Sequence, residues 1–140
     1  MPSFNDVLTE IQNFEHNNAQ DRVREQYVQK LHAYTGRNVI CYYSGWLSAQ
    51  GPGVNFLQVD DMDKNGFMNA IEGMNCDLGL DLILHTPGGS ITAAESIVYY
   101  LRQKFGRDIR VIVPQMAMSA GTMIALSAKE IVMGHHSCIG

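Results

Sequence analysis

The chain has 140 residues, 46% of them hydrophobic and 17% charged, which excludes a disordered tail or a long coiled coil and leaves a single folded domain. Its net charge of −4, with no Lys/Arg cluster, excludes a nucleic-acid backbone or an anionic membrane as the main partner, because both demand a basic face. Cys41, Cys76 and Cys138 lie far apart without metal-ligand spacing, so neither a disulfide framework nor a zinc site is suggested and a reducing compartment fits.

The N-terminus carries no basic region followed by an apolar one, and no apolar run approaches the ~20 residues of a bilayer span. The expectation is a cytoplasmic protein without a transmembrane segment. From Ser3, the apolar positions Phe4, Val7, Leu8, Ile11 and Phe14 fall at helical spacing, with Ser3 as N-cap and Asp6 three residues later. Asn17-Asn18 interrupts this helix. Val23, Tyr27, Leu31 and Tyr34 then predict a second one, stopped by Gly36. Residues 1–36 therefore read as a helical N-terminal arm.

Beyond Gly36 the pattern changes. Val39 to Tyr43 reads as a buried strand and Ser44 to Gly53 as a loop; Gly66 to Met74 predicts a helix, Leu80 to His85 a strand and Ser90 to Phe105 a helix. Ile109 to Val113 is a strand, Ser119 to Ala128 a short helix of small residues, and Glu130 to Met133 a further strand. Strand and helix alternate over short connections, which predicts an α/β core of parallel strands over residues 37–140. The chain stops soon after a strand, so the core reads as incomplete at its C-terminus.

Two strand-turn-helix junctions carry chemistry. In the first, Leu82-Ile83-Leu84-His85 turns through Thr86-Pro87-Gly88-Gly89 into a helix, and glycines there leave backbone N–H groups unshielded, oriented and partly positive. In the second, Val111-Ile112-Val113 leads to Met118-Ser119-Ala120-Gly121 at another helix start. A serine at a helix start is ordinarily an N-cap. Here the small Ala120 and Gly121 permit close approach, and the Ala120 N–H can serve the same oxyanion as that of Gly89. Neighbouring crossovers bring both turns to one sheet edge, where such folds bind ligands.

These residues carry a resemblance. The stretch from Leu82 to Gly140 resembles the Clp proteolytic subunit and signal peptide peptidase A through Pro87-Gly88-Gly89-Ser90-Ile91-Thr92-Ala93 and the Ser119 turn. With Tyr42-Tyr43-Ser44-Gly45-Trp46, Asp63 to Ala70 and Met118 to Thr122, it is most similar to the serine dehydrogenase proteinases, the SDH-type branch, over about residues 38 to 140. The resemblance implies a crotonase/ClpP-like repeated β-β-α superhelix, a peptide or protein substrate and a homo-oligomer, with no metal or cofactor. It makes Ser119 the nucleophile of a serine endopeptidase and the N–H groups of Gly89 and Ala120 its oxyanion hole, with Pro87, Gly88 and Gly121 supporting the turns. Gly88 to Ile91 and Gln115 to Met118 would border an extended substrate by strand-like pairing.

A serine hydroxyl needs a base. His135 and His136 follow the last strand and read as solvent-facing or structural, Lys129 as too close to the nucleophile helix, and His85 as structural at a strand end. The general base is therefore expected beyond residue 140. Two other functions fit the same pattern: a crotonase-type acyl-CoA enzyme, whose paired amides polarise a thioester, and an inactive peptide-binding relative. Finally, Asp61 to Glu72 matches the spacing of a calcium-binding EF-hand loop. No entering helix precedes it, and the favoured reading is an acidic helix start capped by Asp63.

Overall fold

A computed structural model of the protein describes residues 2–13, 18–45 and 57–140. It divides into two compact units, Met1–Gly36 and Arg37–Gly140. Phe14, Asn17 and most of the loop after Ser44 lie outside the described residues.

The first unit is a pair of helices, α1 (Phe4–Asn13) and α2 (Ala19–Thr35). Ser3 and Asp6 cap α1 reciprocally: the Ser3 N–H donates to the Asp6 carboxylate at 2.6 Å and the Asp6 N–H to Ser3 Oγ at 3.2 Å, satisfying donors that a helix start leaves orphaned. α2 ends where Gly36 turns left-handed, with φ 68° and its N–H on the His32 carbonyl.

The second unit runs, in chain order, β1 (Asn38–Tyr43), α3 (Asp61–Ile71), β2 (Leu80–His85), α4 (Ile91–Phe105), β3 (Ile109–Val113), β4 (Met116–Ala117), α5 (Ala120–Leu126), β5 (Glu130–Met133) and β6 (Cys138–Ile139). β1, β2, β3 and β5 form a parallel sheet in that order, with Ile40 opposite Leu82, Leu82 opposite Val111, and Ile112 opposite Val132. The protein is therefore α/β, as the alternation predicts. Leu80, Leu82 and Leu84 alternate along β2 and are fully buried, sharing one core with Ala94, Ile97 and Leu101 of α4 and with Val111 and Ile124. The strand period of two meets the helix period of 3.6 there. Among the described residues, no helix is long and apolar enough to cross a membrane.

Three features depart from the sequence reading. α3 starts at Asp61 rather than Gly66 and ends at Ile71. Its N-cap is Asp60, not Asp63: Asp60 accepts from the Met62 and Asp63 N–H groups, while the Asp63 carboxylate accepts from the Asp60 N–H. The twelve residues with calcium-loop spacing are thus a continuous helix followed by its C-cap, whose rising backbone cannot wrap a cation as an EF-hand loop does. Asp63 is instead committed to the Tyr42 hydroxyl at 2.8 Å, and burial, then this carboxylate, pushes the Tyr42 pKa up. The third departure is a second, two-stranded parallel sheet, β4 with β6, over residues whose pattern reads as connections.

At the N-terminal edge of the main sheet, Asp81 is fully buried between two arginines. Arg37 Nε reaches Asp81 Oδ1 at 2.7 Å and Arg110 Nη2 reaches Oδ2 at 2.5 Å. Arg37 also pairs with Asp108 at 2.9 Å, so the charge that β2 carries into the interior is fully compensated.

Candidate active site

β2 and β3 are parallel neighbours, so the turns that follow them emerge at the same, C-terminal edge of the sheet. Main-chain pairing ties the turns together: the Thr86 N–H donates to the Met116 carbonyl and the Met118 N–H to the Thr86 carbonyl, each at 3.1 Å. The second turn therefore leaves β4 beside the first.

Following every amide through both turns isolates two of them. In the first, Thr86 donates to Met116, Pro87 has no N–H, Gly88 donates to Thr86 Oγ1 at 3.1 Å, and Ser90 donates to the Val59 carbonyl at 2.8 Å. In the second, Met118 donates to Thr86, Ser119 to the Gly140 carbonyl at 2.6 Å, Gly121 to Met118 at 2.8 Å and Thr122 to Ser119 at 2.9 Å. Among the described residues, the Gly89 and Ala120 N–H groups have no acceptor. Val59 pairs with Gly89 as a parallel bridge, engaging the Gly88 carbonyl and the Ser90 N–H. The Gly89 N–H and carbonyl consequently face the opposite edge, as alternate groups of an extended strand must.

Each glycine of the pair is required by a different neighbour. A Cβ on Gly88, whose φ is 99°, would lie 2.5 Å from the Met118 carbonyl oxygen, 2.7 Å from Ser119 Cβ and 3.2 Å from the Ala120 nitrogen. A Cβ on Gly89 would collide with the backbone N and O of Val59. Gly88 thus lets the two turns touch, and Gly89 lets Val59 close the far side.

Ser119 has φ 52° and ψ −118°, a conformation shared by no other non-glycine residue among those described. Such a left-handed backbone costs an L-residue roughly 1–3 kcal/mol and is characteristic of a sharp strand-to-helix turn that thrusts one side chain outward. Ser119 is exposed. It occupies the N-cap position of α5 without capping, and its hydroxyl has no hydrogen-bond partner among the described residues. The side chain the sequence reading set against an ordinary cap is therefore free. A signal for this turn was present: Ala117 and Gly121, two residues to either side of Ser119, are both small and buried, as a tight strand-helix junction requires.

Ala120 and Gly121 are buried, Pro87 and Gly89 half-buried. The second strip expected to border a substrate is already paired. Met116 of β4 is held by Thr86 on one side, while the Gln115 carbonyl accepts from the Cys138 N–H on the other. Met123 is 40% exposed and fills no core.

No base is hydrogen-bonded to the hydroxyl among the described residues. His136 Nε2 sits 3.0 Å from the Pro114 carbonyl, a structural bond, and His135 is exposed. Lys129 lies at the opposite sheet edge, its N–H on the Ile109 carbonyl, and lines a surface pocket with Arg37 and Arg110. His85 ends β2 buried, its ring stacked 5.5 Å from that of Tyr43, and burial holds its pKa below 6.5. Gly140, by contrast, is bound at Ser119 itself: its carbonyl accepts the Ser119 N–H and its N–H donates to Thr122 Oγ1 at 2.8 Å.

Two uncharacterized proteins of Methanocaldococcus jannaschii are similar to the chain, 39% and 37% identical over 89 residues, which is 64% of this chain and 30% of either relative. The chain thus matches less than a third of those relatives' length. The sequence model of one family matches residues 11–140, nearly the whole chain, and the chain belongs to that family, the ClpP-like SDH-type serine proteinases.

Proposed function

We propose that the protein is a serine endopeptidase in which Ser119 attacks the scissile carbonyl and the Gly89 and Ala120 N–H groups receive the tetrahedral oxyanion. The observation that carries this reading is the pair of unspent amides on two touching turns, one of which holds an exposed serine in a left-handed conformation. A preorganised donor of this kind is worth about 2.7–4 kcal/mol of transition-state stabilisation. The free edge of Gly89, opposite Val59, supports strand-like capture of an extended peptide at Gly89 rather than along β4. The general base comes from outside the described residues. Gly140 is fastened to the Ser119 turn, so in a longer chain the segment after β6 would be delivered to the nucleophile. Membership of the family and the β4–β6 pair support the repeated β-β-α superhelix, and a homo-oligomer that sequesters its active sites fits the same reading.

The free hydroxyl without a partner also favours a second reading, a peptide-binding protein that does not hydrolyse. Incubating the full-length protein with a fluorophosphonate and mapping the adduct separates the two. The peptidase reading requires modification at Ser119, loss of modification in Ser119→Ala, and parallel loss of peptide cleavage. Cleavage that survives Ser119→Ala sinks it, and an unmodified wild type leaves the binding protein.

A further inference from the structure

Thr86 is fully buried, yet it touches both turns with every group it has. Its N–H and carbonyl pair with Met116 and Met118 on either side of Ala117. Its hydroxyl accepts the Gly88 N–H at 3.1 Å. Its Cγ2 fills the space over Gly121, where a Cβ would collide with it.

We infer that Thr86 is a positioning residue that determines which glycine amide the first turn presents. This rests on the proposed role of Ser119. Two adjacent glycines offer two amides and a backbone free to swing, so the doublet by itself does not specify a donor. Pro87 contributes no N–H. The Thr86 hydroxyl draws the Gly88 N–H inward, Val59 engages the Ser90 N–H and the Gly88 carbonyl, and Gly89 is left as the single presented donor. The methyl and the hydroxyl have separable tasks: the methyl spaces β2 from α5, and the hydroxyl fixes the peptide plane between Pro87 and Gly88. Without that hydroxyl, the Gly88 N–H is a buried donor with no acceptor, a desolvation penalty that rotating the turn relieves.

Thr86→Val removes the hydroxyl and keeps the shape, whereas Thr86→Ser keeps the hydroxyl and loses the methyl. In the full-length protein, fluorophosphonate modification of Ser119 is expected to slow on the order of 100-fold in Thr86→Val, the penalty of a misplaced reacting geometry, and to recover in Thr86→Ser to within about threefold of wild type, a difference of about 0.7 kcal/mol. Amide hydrogen exchange provides a reading independent of chemistry. The Gly88 N–H should be protected in the wild type and in Thr86→Ser, exchange on the order of tenfold faster in Thr86→Val, and contrast with an unprotected Gly89 N–H. Equal modification rates in wild type and Thr86→Val, or equal exchange at Gly88 and Gly89 in the wild type, overturn the inference. A wild type that is never modified at Ser119, but whose Gly88 exchange still depends on the Thr86 hydroxyl, overturns the peptidase reading instead and leaves the amide selection standing.

Discussion

At Ser119 the backbone and the side chain make opposite demands. With φ 52° the residue sits where an L-amino acid crowds its own Cβ against the chain, and glycine alone would be at ease. Local stability thus favours Gly at 119, whereas the proposed nucleophilic role requires Ser. Ser119→Gly is expected to unfold in urea with a free energy about 1 kcal/mol higher than Ser119→Ala, because Ala retains the strain and Gly relieves it. Equal stabilities would mean that the turn relaxes once the hydroxyl is gone. Gly88 and Gly89 show how far single residues can be read without coordinates. The sequence supports a flexible doublet. That one glycine answers to Ser119 and the other to Val59 is set by segments about 30 residues away on either side, beyond any local pattern.

Elements with a long, regular pattern are legible because one periodicity dominates. β2, β3 and β5 fall where the apolar runs place them, and α4 starts at the serine read as its boundary, whose Oγ accepts the Ala93 N–H at 3.2 Å. α3 starts earlier than its apolar pattern predicts because its first turn, Asp61 to Asn65, is mostly polar and resembles a loop, although Asp60 three residues before Asp63 is itself a capping signal. β4 and β6 are two residues each, too short for alternation to register, and pair only because the main sheet brings them together. Charge within an element is harder still. Asp81 looks like an interruption of an apolar strand, yet it is clamped by Arg37 and Arg110. Asp81→Asn is expected to lower the unfolding free energy by about 3 kcal/mol, since it takes the buried carboxylate from two part-buried guanidiniums and leaves Arg37 only the more exposed Asp108. The exposed pair of Arg24 with Asp21, one helical turn apart, is the contrast: Asp21→Asn should cost at most about 0.5 kcal/mol. Urea midpoints for both variants measure the difference, and similar values would show that burial does not set the worth of the Asp81 pair.

At the scale of the molecule, the sheet is asymmetric from end to end. Its N-terminal edge is neutralised by ion pairs, and its C-terminal edge holds amides and a hydroxyl without partners among the described residues and, at the close of β2, a buried histidine. The fold class and the two turns were readable because strand-helix alternation fixes which edge the turns share. A base for the Ser119 hydroxyl is not legible in the same way, since it depends on groups no local pattern brings within reach. The same asymmetry gives stability a pH dependence. His85 loses hydration against Tyr43, and burial depresses its pKa in the folded state below 6.5. An unfolded chain takes up that proton as the pH falls through about 6.5, while the folded protein does so only at lower pH. The unfolded state therefore binds more protons across this window, and stability must fall as the solution is acidified. Above pH 7 both states hold a neutral ring and the contribution vanishes. Urea midpoints should decline from pH 7.5 to pH 5.5, a range above carboxylate titration, and His85→Phe, which keeps a ring beside Tyr43, should flatten that decline. A wild-type midpoint constant over the interval, or an unchanged slope in His85→Phe, would remove His85 as the source.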